Sequence, residues 1–392
     1  MTTPTFTSPV RIGLIGPGSR LQGIVRRLLD AAPADLVRIT AAYDPDPVSI
    51  QSLRQSTGID FEEMTSEDGV ACHPDVDWVF IGSWNVFHAR QALAALQAGK
   101  NVFCEKPLAT TLDDCVAIRD AAKKSGRIFS FGLVLRYAPH YQKVKELVSS
   151  GTIGDIISFE FNETLGFNHG GYIFGNWRRN TANAGSHLLE KCCHDIDLAN
   201  WIIGSLPVRV ASFGGKDFFV PKNEHHIHRL GPDKNGNPAY GTWPDPHRVN
   251  PFSEGADIVD NQVAILQYAN GVRATFHTNC NAGIQERRFY ICGTEGTIRA
   301  DAVTGRIEWQ RVGHDAQLEE ISMGHAGGHA GGDEMMAKRL AGTLLEGAEP
   351  LASVEEGLHS CVVAFAIDQA LAENKVVELA PWWNTAGVLF GH

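Results

Sequence analysis

Glu190, His194 and Asp197 stand four and three residues apart in the stretch Gly185-Ser-His-Leu-Leu-Glu-Lys-Cys-Cys-His-Asp-Ile-Asp-Leu-Ala-Asn-Trp-Ile-Ile-Gly204. That spacing puts all three on one face of a helix closed by Gly204. A carboxylate beside an imidazole raises its pKa and fixes the ring, which is what a general base working near neutrality needs. Taken alone, such a pair reads equally well as a buried histidine satisfied by its neighbour. Lys191 is expected to pair with Glu190. Cys192 and Cys193 read as structural thiols, because adjacent residues point in different helical directions and no second ligand pair stands at metal-site spacing. No metal is expected, and His225, His226 and His228 read as solvated loop residues.

Glu105-Lys106-Pro107 follows a short apolar run ending at Cys104. Proline keeps Lys106 out of helix, and an ammonium at the carboxyl end of a parallel strand sits where open sheets bind ligands. Gly16-Pro-Gly18 lies between a strand and a helix, with Ser19 and Arg20 in the first helical turn. Small residues there let the backbone approach a pyrophosphate, and the helix N-terminus supplies unpaired N–H groups. The third position of the glycine fingerprint is Leu21. Asp44 ends the next strand, placed to accept from ribose hydroxyls and to repel a 2′-phosphate, so NAD is expected rather than NADP.

The elements that would position these groups fall into two patterns. Val10–Gly16, Val37–Tyr43, Asp77–Ile81 and Asn101–Cys104 alternate with helical segments, the signature of a parallel sheet with helices on both faces. From Asp155–Phe161 onward the strands alternate, and Val263–Tyr268 and Val272–His277 flank an Asn270-Gly271 hairpin turn. The expectation is an α/β protein with a parallel-sheet domain over residues 1–130. An α+β domain over residues 131–392 would follow, built on a large open, mostly antiparallel sheet. The helical patterns from about Asp333 to Leu345 and Val354 to Ala372 are candidates to pack back on the first domain. Residues 221–256 show no clear period, and loops that long are more often functional than idle.

The chain has 392 residues and a formal net charge of −11, which excludes general attraction to nucleic acid or anionic lipid. No apolar run nears the ~20 residues of a membrane helix. The N-terminus lacks the basic start and apolar core of a secretory signal. Eight cysteines are too sparse for a disulfide framework, so a cytoplasmic protein is expected.

In this order, the glycine turn, Ser83-Trp-Asn85-Val-Phe-His88, Glu105-Lys106-Pro107, Trp177-Arg178 and the helix carrying His194 and Asp197 resemble the Gfo/Idh/MocA oxidoreductases. The resemblance implies an NAD-binding Rossmann domain, a substrate-binding α/β domain and a homo-oligomer, dimer or tetramer. It implies that Lys106 and His194 flank the nicotinamide and the reacting hydroxyl, with Glu190 assisting. Gly16, Gly18, Ser19, Arg20, Asp44, Ser83, Asn85, His88, Glu105 and Lys106 become the expected cofactor contacts. Arg136, His169, Tyr172, Trp177, Arg178, Lys191 and Asp197 become the expected substrate contacts. The chain departs from the family pattern at Leu21, at Glu190 where the family has Asp, and in Glu190-Lys-Cys-Cys-His194 where it has Asp-x-Gly-x-His.

The chemistry expected is oxidation of a ring secondary alcohol in a sugar, pyranoside or cyclic polyol. Arg178 and Arg179 suit an anionic sugar better than a neutral one. A redox-neutral glycoside hydrolase that recycles NAD is the first alternative, with His169, Tyr172 or Lys191 as its second base. A non-catalytic NAD-binding regulator is the second.

Overall fold

The computed structural model describes residues 9–241, 247–324 and 329–390. Positions 242–246 of the expected functional loop therefore lie outside the described residues. Two units emerge, one of Met1–Ala138 with Gly331–Leu358, the other of Pro139–Ala330 with His359–His392.

Strands buried on both faces must be apolar throughout, and in the first unit β1 (Val10–Ile15), β2 (Val37–Tyr43), β4 (Trp78–Ile81) and β5 (Asn101–Cys104) largely are. With β3 (Glu62–Glu63) and β6 (Phe129–Phe131) they form an all-parallel sheet of order β3-β2-β1-β4-β5-β6. This is the Rossmann order, whose direction of winding reverses between β1 and β4. The Gly332–Glu346 helix belongs to this unit and lies against the Ser19–Ala31 helix. Arg20 and Arg27 of one helix pair with Asp333 and Glu334 of the other at 2.5 and 2.9 Å.

The second unit carries a sheet of order β14-β13-β12-β11-β7-β10-β9-β8-β15. Its strands are β7 (Ile156–Gly166), β8 (Pro207–Gly215), β9 (Asn261–Tyr268), β10 (Arg273–Ala282) and β11 (Arg288–Gly293). Beyond them come β12 (Gly296–Asp301), β13 (Arg306–Arg311), β14 (Glu319–Ser322) and β15 (Val377–Glu378). Only β7 and β10 run parallel; the other pairings are antiparallel. The Asn270-Gly271 turn joins β9 to β10 as expected, with Gly271 at φ +89°. One face is packed, with Phe159, Phe161, Phe276 and Phe289 in mutual ring contact. The other exposes Phe213, Val263, Ile265 and Tyr290.

The stretch without sequence period builds a core of its own. Phe219, Tyr240 and Phe252 pack with Phe174, and Asp260 accepts from the backbone N–H groups of Asp217, Phe218 and Phe219. Among the described residues no helix is long and apolar enough to cross a membrane.

Candidate active site

The first unit places its glycine turn at the carboxyl end of β1. Gly16 has φ +69°, and a Cβ on it would stand 2.5 Å from the Ser83 backbone, at the end of β4. Only glycine fits there, for conformation and for space together. A Cβ on Gly18 would meet nothing within 4 Å, and the residue precedes the Ser19–Ala31 helix without a side-chain cap. Its first-turn N–H groups and open approach suit a pyrophosphate. Leu21, the departure from the fingerprint, is matched from across the interface: a Cβ on Gly82 would meet the Leu21 Cβ at 2.7 Å. The small residue that lets helix approach strand has moved from helix to strand. Asp44 ends β2, accepts from the Asp46 N–H at 2.9 Å, and burial raises its carboxyl pKa.

These residues fit NAD. Gly16, Gly18 and the helix N-terminus would hold the pyrophosphate, and Asp44 the ribose. Gly16→Ala is expected to weaken NADH binding at least tenfold in a fluorescence titration, because the alanine Cβ must displace Ser83. Unchanged affinity would mean the turn does not hold the cofactor.

Glu105 is fixed by Arg20 Nε at 3.1 Å, and its other oxygen accepts from the Lys106 N–H at 3.2 Å. Lys106 is half-buried at the carboxyl end of β5, and its peptide bond to Pro107 is cis. His88, expected against the cofactor, is instead buried as a strut, with Nδ1 2.7 Å from the Pro107 carbonyl and Nε2 3.2 Å from that of Ser83. Burial pushes its pKa down, so a neutral ring donating through Nδ1 fits the shorter contact. Ser83 Oγ donates to Gln91 at 2.6 Å, and Asn85 is buried. Arg136, expected at the substrate, is instead buried in the first unit near the Leu351 carbonyl and Glu356.

In the second unit, Ser186 caps the His187–Ile203 helix and Gly204 closes it in the left-handed conformation. Half-buried Asp368 accepts from the capping hydroxyl, fixing that end. His194 is 4% exposed and Asp197 2%. Lys191 does not pair with Glu190 as the sequence suggested. Consecutive helical residues diverge, and Lys191 reaches Glu163 of β7 at 3.1 Å while Glu190 takes Arg178 Nε at 3.0 Å. Arg178 also donates to Tyr172 at 3.1 Å and lies over the Trp177 ring at 4.3 Å. His169 and Tyr172 come from the Phe167–Phe174 helix, whose Gly170 and Gly171 leave no room for a Cβ against Cys280 and Tyr240. The expected substrate groups His169, Tyr172, Trp177, Arg178 and Lys191 thus gather around Glu163 and Glu190.

Arg179, read with Arg178 as an anion binder, instead donates to Ser253 and to the Ser253 and Glu254 carbonyls, anchoring the inserted core. Cys192 is buried near His187 and Thr278, in keeping with a structural thiol. Among the described residues no cluster could hold a metal.

Burial lowers three imidazoles here, His169 to about 3 and His140 and His187 to about 4. Each is neutral when folded and titrates near 6.5 when unfolded, so the unfolded chain binds more protons below that pH. Their contribution is complete above pH 6.5 and lost as pH falls toward the folded values. Acting independently, they should lower unfolding free energy by roughly 3–5 kcal/mol between about pH 6.5 and 5. Asp368, raised by burial to about 6, works in the opposite sense, its contribution lost as pH rises through that value. Denaturant titrations at both pH values check the balance; stability that rose on acidification would mean the imidazoles are not buried neutral.

Residues 10–133 match the family model described as oxidoreductase family, NAD-binding Rossmann fold. Residues 145–379 match that of the same family's C-terminal alpha/beta domain. The chain belongs to the Gfo/Idh/MocA oxidoreductases. It therefore carries an NAD-binding Rossmann domain. Among relatives of this Gfo/Idh/MocA chain, the Bacillus subtilis (strain 168) protein named as oxidoreductase YteT is 25% identical over 356 residues, spanning 78% of this chain and 81% of the relative. Inositol 2-dehydrogenase 3 of Saccharopolyspora erythraea is 41% identical over 146 residues, 37% of this chain and 42% of the relative. Levoglucosan dehydrogenase solved with NADH and levoglucosan shares the fold at TM-score 0.77 and 22% identity, over 95% of this chain and 100% of that one.

The sequence reading missed two groups of the second unit. Glu163, inside an apparently simple alternating strand, carries the counter-charge for Lys191. His329, in a Gly-His repeat, lies with its ring centroid 6.3 Å from that of His194.

Proposed function

We propose that this Gfo/Idh/MocA protein uses NAD to oxidise a secondary ring hydroxyl of a neutral sugar, pyranoside or cyclic polyol. The supporting observation is the charge balance of the second unit's cluster. Arg178 faces Glu190, Lys191 faces Glu163, and Arg287 faces Glu163 and Asp195. With each of these cations matched, the cluster offers a carboxylate or phosphate little net attraction. It offers hydroxyl groups many partners, and aromatic faces suited to a ring. Relatives named for levoglucosan and inositol act on such rings.

In this reading His194 takes the hydroxyl proton, and the Lys106 ammonium stabilises charge developing on oxygen. NAD, when bound, supplies the hydride acceptor. Glu190, held by Arg178, keeps the electrostatics around the imidazole fixed. The same groups run the reverse reaction, with imidazolium returning the proton to a reduced ketone. We place the homo-oligomer contact on the exposed face of the second sheet, where Phe213, Val263 and His277 lie side by side on β8, β9 and β10.

The test incubates the protein and NAD with neutral pyranosides, inositols, anhydrosugars and their acidic counterparts, recording reduced nicotinamide and released aglycone together. NADH formed with the neutral rings and not the acidic ones supports the proposal. Aglycone release on catalytic NAD without net NADH would make this an NAD-recycling glycosidase. NAD binding without turnover of any ring would make it a regulator.

A further inference from the structure

We propose that His329 is a second catalytic imidazole that donates a hydrogen bond to the substrate oxygen deprotonated by His194. The proposal rests on the reading of this protein as a ring-alcohol oxidoreductase and adds to it a residue outside the family pattern found in the sequence.

The geometry carries it. The two rings belong to the same unit, with centroids 6.3 Å apart and planes inclined at 58°. That is too far for ring stacking or a direct nitrogen–nitrogen hydrogen bond along the centroid line. It suits one oxygen between them. A ring nitrogen lies about 1.1 Å from its centroid and hydrogen-bonds an oxygen at about 2.8 Å, so an oxygen bonded to both rings subtends an angle of roughly 105°. This is close to the tetrahedral angle between the hydrogen-bonding directions of a hydroxyl. A hydroxyl donates one hydrogen bond and accepts up to two. It can donate to His194 and accept from a neutral His329 N–H without conflict.

The backbone points the same way. Ala330 follows His329 at φ +49° and Gly331 at φ +80°. Ala330 thus holds a left-handed conformation that a residue with a Cβ seldom adopts, and conformations of that kind cluster at functional sites. His329 is half-buried.

The chemistry balances without another reactant. The O–H proton passes to His194, the C–H electron pair leaves as hydride to bound NAD, and the carbon–oxygen double bond forms. The oxygen carries its greatest negative charge in the transition state, where a fixed N–H donor counts most. His329 keeps its proton throughout. It acts as an oxyanion donor, not as a base.

The experiment compares His329→Ala, His329→Phe, His329→Asn and His329→Gln in the full-length protein, using the best ring alcohol from the panel above. His329→Ala and His329→Phe should lower kcat about 100-fold, with NADH affinity by fluorescence unchanged. Asn or Gln, which keep a neutral N–H donor, should recover at least tenfold of that loss. Activity of His329→Ala within threefold of the original, a loss confined to KM, or no rescue by either amide would each overturn the proposal. Should the alanine variant fail to fold, the ratio of the Gln to the Phe variant decides it. Should the original protein turn over no ring alcohol, the functional reading itself has failed. The pairing is then read from His194 ring resonances in labelled protein, which His329→Phe must shift; unmoved resonances would overturn it independently of activity.

Discussion

Replacing His194 by alanine is expected to cut kcat by roughly 10²–10⁴-fold, the range that a positioned general base contributes. NADH affinity should stay within twofold, because the substitution leaves the expected cofactor contacts Gly16, Gly18 and Asp44 unaltered. The pH profile separates this from a structural effect. An enzyme whose base is an imidazole loses kcat/KM on acidification through the histidine range, and the alanine variant should lose that limb. The residual rate would then rise with hydroxide. Lys106→Met should produce a comparable loss with the limb intact, since the ammonium assists charge on oxygen without accepting the proton. If His194→Ala retains most of its activity, or keeps the acidic limb, proton abstraction belongs to another group. His329 and His169 would be the next candidates in the same unit.

Some of this is legible in the sequence alone. The parallel sheet could be read from β1, β2, β4 and β5 because a strand buried on both faces has no choice but to be apolar. The hairpin at Asn270-Gly271 was readable because a turn with positive φ restricts the residues it accepts. His194 and Glu190 stood out because helical spacing fixes which side chains share a face. What stayed hidden depends on contacts distant in sequence. The partner of Lys191 is Glu163, twenty-eight residues earlier on a strand, and nothing local to either residue announces the pairing. Arg136 and Arg179 look like ligand groups in a sequence because arginine is ordinarily exposed or bound, yet the fold gives both to backbone carbonyls. Leu21 looked like a defect in the fingerprint. Gly82, sixty-one positions later, supplies the space that the missing glycine would have left.

The largest expected loss of stability comes from Arg287. Its guanidinium lies 2.6 Å from Glu163 and makes paired hydrogen bonds to Asp195 at 2.8 and 2.7 Å, all three side chains buried. Arg287 and Lys191 together hold the Glu163 carboxyl below the usual carboxylate range. Arg287→Met keeps much of the volume but leaves two buried carboxylates sharing one ammonium. Removing one partner of a buried ion pair costs about 3–5 kcal/mol, most of it the penalty of the uncompensated charge. The loss should shrink as pH falls. Burial already holds the Asp195 carboxyl above its unfolded value, and without the guanidinium both acids rise further, so protonation favours the folded state and acidification restores part of what the substitution removed. The opposite trend holds for the buried imidazoles, so the comparison must be made as the difference between variant and original protein at each pH. Combining Arg287→Met with Asp195→Asn, Glu163→Gln and Lys191→Met should recover most of the loss, because replacing a whole buried network is often nearly neutral. Recovered stability without recovered turnover is the informative combination. It would mean that Glu163 and Lys191 matter less for holding the sheet to the helix than for the reaction proposed for this protein. A loss below about 1 kcal/mol for Arg287→Met, the size of an exposed pair, would mean that water reaches this cluster.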